Sequence, residues 1–414
     1  MITLPYVKCE AAIERSVDAI PPNTNPTPSA ARSGQPASSP VGSRTSRSRQ
    51  TRRRRKSFVW TLAKAGFWTG LLGTAVFAVW FFLTPSGNEF RYMMADSLIT
   101  TQHRHWAKYI IGEKGLKERV ALYVQRFDQM GEERDLHTIA PDPGSGTGEE
   151  AGGLGNENAP LTSVEEIDGA GYHGYLLTVR DPKKIRLVVP IKADKGEKVS
   201  SMVKRTGAIA GVNAGGFADP NWKGNGFKPI GLVISHGQIY YNGLGKAKST
   251  QIVGIDKDGK MLAGRYGIQE LLDLGISEAV SFSPRIIVNG KGLIPSKEQG
   301  WGIAPRTVMG QREDGAILFL MIDGRQPGYS IGATLYDAQE IMLAHGAVIA
   351  ANLDGGSSTV LVNGQGEVVN KPSSQYGERY LPSAFLVFDD PDSVSVPNVW
   401  AGLKPEDIDA GKKK

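Results

Sequence analysis

The chain reads as an α+β protein with a mixed, strand-rich core and few helices, preceded by one N-terminal transmembrane helix and a helical stalk. Three observations lead there. Residues 58–83 form a nearly unbroken apolar run. From about Leu161 onward, short apolar and β-branched runs alternate with HG, DG and NG pairs, the local signature of hairpins. Only two convincing segments in that region carry apolar residues at helical spacing.

The apolar run, FVWTLAKAGFWTGLLGTAVFAVWFFL, is interrupted only by Lys64. About 20 residues cross a bilayer core, so the length suffices with some tilt. Lys64 is near enough to one end for its ammonium to snorkel to the membrane surface. The segment RTSRSRQTRRRRK precedes the run, and an excess of Lys and Arg marks the cytoplasmic side. The reading is a single-pass cell-membrane protein, residues 57–84 spanning, with its N-terminus cytoplasmic and the domain that follows the span extracellular. The run is too long for a cleaved signal peptide, and no small-residue cleavage site follows it.

Composition narrows the class. Of 414 residues, 40% are hydrophobic and 22% charged, enough to bury a sizeable core. The formal charge of +6 is smaller than the eight basic residues packed between Arg44 and Lys56, so the rest of the chain is slightly acidic. Beside a membrane span that block reads as topogenic and lipid-facing, and no nucleic-acid partner is expected. Cys9 is the sole cysteine, so no disulfide forms within the chain and the outward domain rests on its core.

The organisation follows. Residues 1–56 are a disordered basic cytoplasmic tail, rich in Pro, Ser, Thr and Arg. Residues 85–139 are a membrane-proximal helical stalk, with Leu116, Val120, Tyr123, Val124 and Phe127 at helical spacing. Residues 140–160 are a Gly-rich linker, residues 161–390 the folded domain, and residues 391–414 a loosely ordered tail. Within the domain, IGLVIS-HG-QIYY, IVGI-DKDG-KMLAGR and RTVMGQREDGAILFLMIDGR read as hairpins. The second strand of the last is wholly apolar, hence buried on both faces. The helices are IQELLDLG and ATLYDAQEIMLAHGA, the latter capped by Thr334 with Asp337 at capping-box spacing and stopped at Gly346.

Polar residues cluster where apolar strands end. FLMIDGR delivers Asp323 and Arg325, VIAANLDGGSS delivers Asn352 and Asp354, and GVNAGGF delivers Asn213. Carboxylates at the ends of buried strands are costly unless paired or hydrogen-bonded, and function often carries that cost. The DG pairs of DKDG and REDG lack a second polar partner and read as turns alone.

Those segments, with APRTVMG, VVNKPSS and GERYLPSAFLVF in the same order, resemble the phosphodiester glycosidase family over about residues 208–388. Members hydrolyse a sugar-1-phosphate diester carrying N-acetylglucosamine. Bacterial members associated with exopolysaccharide biosynthesis share the membrane-anchored layout and a stretch like SLITTQHRHWAKYI. This chain departs from the common pattern at NAGGF, where others carry NASFF, and at GGSS, where others carry GGGS. The resemblance implies hydrolysis of a glycosyl phosphodiester on a cell-surface glycan or polymer, in exopolysaccharide or cell-wall metabolism. Phosphate is a far better leaving group than an alcohol, so a general acid matters less than in ordinary glycosidases. The chemistry needs a cationic cradle and one carboxylate. Arg306, Arg325 and Arg379 suit bidentate phosphate contacts. The amides of Gly355, Gly356 and Ser357 suit an oxyanion cradle. Asp354 is the first choice as nucleophile or base, with Asp323 and Glu378 as alternatives. Asn213 and Asn352 orient sugar hydroxyls or the carboxylates.

Three other readings stand beside this one. A metal-dependent phosphodiesterase would use Asp323, Asp354 and Asn352, but no histidine has zinc-ligand spacing. No cofactor is implied, and the acidic Gly loops offer oxygen ligands to a structural divalent cation such as calcium. A serine hydrolase built on Ser357 or Ser358 with His345 lacks the nucleophile elbow. A non-catalytic polysaccharide-binding module would stack sugar on Trp222 and Trp301. The natural glycan or glycosyl-phosphate substrate and the oligomeric state are open at this level.

Overall fold

The computed structural model describes residues 47–99, 101, 103–139, 160–219 and 225–408. Cys9, most of the basic tail, the linker and Trp222 lie outside the described residues. Residues 9–90 and residues 91–414 form separate compact units. The first contains helix α1 (Arg47–Leu83). Its segment Trp60–Leu83 is 24 residues long, has a mean hydropathy of 1.7 and has 0% of its residues buried, so it is long and apolar enough to cross a membrane.

The second unit opens with the end of α2 (Pro85–Ile99), a 3₁₀ turn at Arg104–Ala107 and α3 (Lys108–Met130). The strands then run β1 (Thr162–Gly169), β2 (Tyr172–Val179) and β3 (Ile185–Val188), with α4 (Val199–Thr206) before β4 (Ala210–Asn213). Next come β5 (Leu232–Ser235), β6 (Gln238–Asn242), β7 (Ser249–Asp256), β8 (Met261–Gly267), α5 (Ile268–Asp273) and β9 (Ile276–Ser281). They are followed by β10 (Arg285–Val288), β11 (Lys291–Gly292), β12 (Arg306–Arg312) and β13 (Ile317–Ile322). The last elements are α6 (Leu335–Ala344), β14 (Ala347–Asn352), β15 (Leu361–Asn363) and β16 (Ala384–Val387).

Three sheets result, with strand orders β1-β2-β13-β12-β14-β10-β11, β15-β4-β16-β3 and β6-β5-β9-β7-β8. Every pairing described within them is antiparallel. The α+β, strand-rich class is what the chain adopts. The hairpins fall where the turn pairs stand. His236 and Asn289 take positive φ ahead of Gly237 and Gly290, which matches the twist of tight antiparallel hairpins. Thr334 caps α6 through a capping box with Asp337, as its spacing predicts.

The wholly apolar β13 organises the core by alternation. Ile317, Phe319 and Met321 enter one apolar cluster with the two smaller sheets. Leu318, Leu320 and Ile322 enter a second with α3 and α6. All six are at most 1% exposed, so this strand is sandwiched on both faces. Glu278, also buried, receives N–H bonds from Leu187 (2.8 Å) and His236 (2.9 Å) and so braces two sheets against each other.

The helices expected to form a stalk are a layer of the domain. Ala95, Ile99, Ala107, Tyr123 and Met130 are buried in the second cluster. Buried Asp96 accepts two hydrogen bonds from Arg119, at 2.8 and 2.6 Å. Arg285, 1% exposed, donates to the carbonyls of Met130 (3.0 Å), Ala263 (2.9 Å) and Glu133 (2.7 Å). One guanidinium therefore ties the end of α3 to two sheets. Gly302 is required at the contact with α2, because a Cβ there would stand 2.5 Å from the Ser97 nitrogen. A fragment starting near residue 161 lacks this layer. Trp301 is not a sugar platform: it is 3% exposed and held edge-on by Tyr123 and Phe127, at 5.8 and 4.9 Å.

Because Phe319 fills space between two sheets, Phe319→Ala is expected to cost about 3–5 kcal/mol. Thermal unfolding of the detergent-solubilised chain reads this as a lowered midpoint, whereas an unchanged midpoint would place the core elsewhere.

Candidate active site

The ends of β4, β12, β13 and β14 converge, and their chain continuations build the site. Asn352 ends β14, and Asp354 follows two residues later, before a 3₁₀ turn at Gly356–Ser358. Three backbone bonds fix this loop: Leu353 N–H to Thr307 (2.8 Å), Asp354 N–H to Ala214 (3.1 Å) and Gly356 N–H to Pro305 (2.9 Å). Asn213, wholly buried, is the staple beneath it. Its amide donates to the Asp354 carbonyl, and its Oδ1 accepts from the Thr307 hydroxyl (3.1 Å) and the Val360 N–H (3.0 Å). Of the roles expected for Asn213, the structure supports orienting the Asp354 loop.

Arg325 leaves β13 through a tight corner. A Cβ at Gly324 would lie 2.9 Å from Gly332, the Ile331 carbonyl and the Pro305 nitrogen, so only glycine fits. Arg325 itself takes φ +60, a conformation a non-glycine residue holds only when its surroundings require it. Its Nη1 donates to the Ser357 hydroxyl at 3.3 Å. Arg379 lies across the Phe217 ring, 4.8 Å from its centre, and pairs with Asp219 at 2.9 Å.

These groups line a cleft of about 820 Å³. Arg306, Arg325, Arg379, Asn352, Asp354, Gly355, Gly356 and Ser357 all border it. Burial pushes the Asp354 carboxyl up to about 6, against a hydrogen bond from the Ser358 hydroxyl and the charges of Arg379 and Arg325. Arg325 in turn is lowered first by burial and then by the charge of Arg379, while Asp354 opposes both. The two guanidiniums and the carboxyl act on one another across the same space.

The other acids stand apart. Asp323 is 1% exposed and accepts from the Tyr329 hydroxyl (2.9 Å), the Asn370 amide (2.7 Å) and the Lys371 N–H (2.9 Å). It ties three segments together and does not border the cleft. Glu378 accepts from the N–H and hydroxyl of Ser200, at 2.8 and 2.5 Å, in the first turn of α4, where a helix N-terminus favours a carboxylate. It does not border the cleft either.

Two further corrections concern the cradle. Arg306 borders the cleft but directs its Nε and Nη2 at the carbonyls of Ala333 (3.1 Å), Trp301 (2.8 Å) and Gly302 (2.8 Å), so it clamps these segments and leaves at most Nη1 for a ligand. Burial, then the charge of Arg325, lowers its pKa to about 10. The Gly356 N–H is spent on Pro305, leaving those of Gly355 and Ser357 as the cradle amides without a carbonyl partner among the described residues. Asn352 lies on the cleft itself. Its side chain is 8% exposed and its Oδ1 accepts no hydrogen bond, so the cleft holds a buried acceptor for a hydroxyl or amide donor. Gln251 Oε1 is a second such acceptor on the same cleft. Among the described residues, no group of three or more His, Cys, Asp or Glu is placed to hold a metal ion.

Several site residues were invisible to motif reading. Asp219 and Gln251 support or border the cleft and no spacing in the sequence points to them; Val120, Tyr123 and Phe127 border it too, although their helical spacing marked them only as part of a stalk. Only GERYLPS hinted at the Arg379 side, through its place in the ordered set of motifs.

The model of the phosphodiester glycosidase family matches residues 206–388. The chain is 30% identical over 212 residues to the SPbeta prophage-derived uncharacterized protein YomE of Bacillus subtilis, covering 48% of this chain and 31% of that protein. It therefore spans about a third of that curated relative's length. Among solved structures, the zebrafish N-acetylglucosamine-1-phosphodiester alpha-N-acetylglucosaminidase catalytic domain, auto-inhibited by its pro-peptide, is similar at a TM-score of 0.47 and 19% identity. That match covers 57% of this chain and 86% of the zebrafish chain. A hypothetical protein from Synechocystis is similar at 0.43 and 14%, over 56% of this chain and 64% of the other.

The hydrogen bonds of Asp323 make it a structural acid. Asp323→Ala strands the buried Asn370 amide and two part-buried donors, and is expected to cost about 1–3 kcal/mol, read as a lowered unfolding midpoint. Glu378→Gln is expected to leave turnover within about threefold; a loss comparable to that of Asp354→Asn would return Glu378 to the chemistry.

Proposed function

We propose, from the premise that residues 206–388 belong to the phosphodiester glycosidase family, that this chain hydrolyses a glycosyl phosphodiester. The substrate class is a sugar-1-phosphate diester, N-acetylglucosamine-like, on a cell-surface glycan or polymer of exopolysaccharide or cell-wall metabolism. The observation that carries the reading is the carboxylate of Asp354, set in a cleft with Arg325 and Arg379, whose charges act upon it.

The chemistry follows from that arrangement. Arg325 and Arg379 hold the phosphate and offset the charge that develops as the bond from the anomeric carbon to oxygen breaks. The Gly355 and Ser357 amides complete the cradle. The departing phosphate monoester is stable as an anion, so no second carboxylate is needed to protonate it. Asp354, as carboxylate, acts on the sugar side as nucleophile or as base toward water. The acceptor atoms of Asn352 and Gln251 receive sugar hydroxyl or acetamide donors. Trp60–Leu83 anchors the chain in the cell membrane, with the basic flank inside and the catalytic unit outside.

The test is to incubate the full chain with a methyl diester of N-acetylglucosamine 1-phosphate and identify the products. Free N-acetylglucosamine is the expected one. Release of the sugar phosphate would mean cleavage on the other side of phosphorus, and binding without release would mean a recognition module. Asp354→Asn is expected to lower kcat at least a thousandfold. The pH profile follows from the raised carboxyl: kcat/KM should fall about tenfold per unit below pH 6 and level off above it. The sign for stability is opposite. A carboxyl raised in the folded state stabilises it at low pH and loses that contribution as pH rises through 6. Asp354→Asn should therefore raise the unfolding midpoint at pH 8 and change it little at pH 4. A midpoint that fell at pH 8 would contradict this assignment.

A further inference from the structure

The short helical stretch that leads into α3 is apolar on both of its faces. It runs from the 3₁₀ turn at Arg104 to Gly112, where φ +76 and ψ 166 break the helix. Ala107, Ile110 and Ile111, at i, i+3 and i+4 spacing, pack into the second apolar cluster of the core. Trp106 and Tyr109, three residues apart on the other side, are 50% and 79% exposed. The Lys108 ammonium stands 5.2 Å from the centre of the Tyr109 ring, and the His105 ring meets Trp106 edge-on at 5.9 Å. A helix on the surface of a soluble domain turns charged and polar groups outward, whereas one that is apolar all round is covered on both sides.

Position in the chain says what the second cover is. In the sequence, α2 is the one helix between this stretch and Leu83, the end of the apolar segment read as the membrane anchor. Trp and Tyr carry an apolar ring with one polar group, and they collect where a bilayer meets water. A Lys among them keeps its stem in the apolar layer and its ammonium at the lipid phosphates. The same stretch adjoins the cleft. His103 borders the cleft, and its ring centre lies 4.7 Å from that of Trp106. Thr101, also on the cleft, accepts the His103 N–H at 3.0 Å and donates to the Leu98 carbonyl at 2.8 Å, which fixes the turn to the end of α2. This segment lies outside residues 206–388, the part that matches the family.

We infer that Trp106 and Tyr109 seat this turn in the headgroup layer of the membrane that holds the anchor, so that the cleft of Asp354 opens beside the lipid surface. The inference rests on the anchor reading for the membrane and on the glycosidase reading for the substrate. It names the substrate class more closely: a glycosyl phosphodiester carried on a lipid of the same bilayer, presented to the cleft without leaving it.

Fluorescence quenching tests the seat without turnover. The full chain carrying Cys9→Ser and Tyr109→Cys is labelled with a nitrobenzoxadiazole group and reconstituted into phosphatidylcholine–phosphatidylglycerol vesicles, with and without lipid spin-labelled at the headgroup. The comparison label is at Asp258→Cys, an exposed hairpin position at the far end of β7 from the cleft-lining Ser249. Spin-labelled lipid is expected to quench the label at 109 by about half and the label at 258 by less than about a tenth. Equal quenching at the two positions overturns the inference. A dimer that Trp106→Ala dissolves, without quenching at 109, gives the patch to a second copy of the chain and also overturns it. Washing with alkaline carbonate separates this from the anchor reading. A chain that stays with the vesicles but lacks the excess quenching keeps its anchor and refutes the seat; one that washes off and lacks it refutes both; one that washes off but shows it beforehand keeps the seat alone. Turnover tests the substrate. Trp106→Ala combined with Tyr109→Ala, shown folded by its unfolding midpoint, should lower kcat/KM about fivefold toward the hexadecyl diester of N-acetylglucosamine 1-phosphate in these vesicles. Toward the methyl diester it should stay within about twofold, and Tyr109→Ser alone should act in the same direction. An equal loss on both diesters overturns the inference. If the unaltered chain releases sugar from neither, the glycosidase reading fails with the substrate assignment, and the quenching alone decides the seat.

Discussion

Burial of β13 on both faces is the constraint from which the site follows. A strand whose alternate residues enter two different apolar clusters has no polar surface along its length. Polar groups can stand only where it and its neighbours stop. The ends of β12, β13 and β14 and of β4 are therefore the places where carboxylate, guanidinium and amide groups gather. The backbone there is no longer satisfied by the ladder. The Asn213 side chain takes over, holding the Asp354 loop and two further segments from one buried position. The rigidity of the site comes from the same sandwich that forms the core.

Charges in such surroundings must be compensated, and how each is compensated separates structure from chemistry. Asp323 is surrounded by three donors and does not border the cleft. Arg285 and Arg306 direct their N–H groups at main-chain carbonyls and act as clamps between elements. Asp354 differs: burial raises its carboxyl, the Ser358 hydroxyl and then the charges of Arg379 and Arg325 offset this only in part, and it borders the cleft. Of the three acids weighed from the sequence, Asp354 alone borders the cleft.

The comparison of sequence with structure is instructive at particular residues. Where a signal depends on neighbours in the chain, it was readable: the HG and NG turns, the Thr334–Asp337 cap, the doubly buried β13 and the apolar run of α1. Asp354, Arg325 and Asn352 were readable as well, because glycine corners after apolar strands mark them. Glu378, an alternative acid from the sequence, lies off the cleft that its neighbour Arg379 borders. The two side chains diverge, Glu378 to Ser200 and Arg379 to Asp219. Arg306 was taken for a phosphate ligand because its carbonyl partners are main-chain atoms, which no side-chain pattern reveals.

The amino-acid order by itself determined the strand-rich class, the membrane-length apolar helix, the strand-end clusters and their likeness to one enzyme family. These follow from periodicity, turn chemistry and motif order, all properties of short stretches. The tertiary structure alone decided which acid faces the cleft, what holds it there and that the helices before the domain form part of the wall. That assignment depends on contacts such as Arg285 with Met130 and Ile303 with Ser97, between residues far apart in the chain. Helical spacing marks an apolar face without naming the surface that covers it, and only packing supplies that partner.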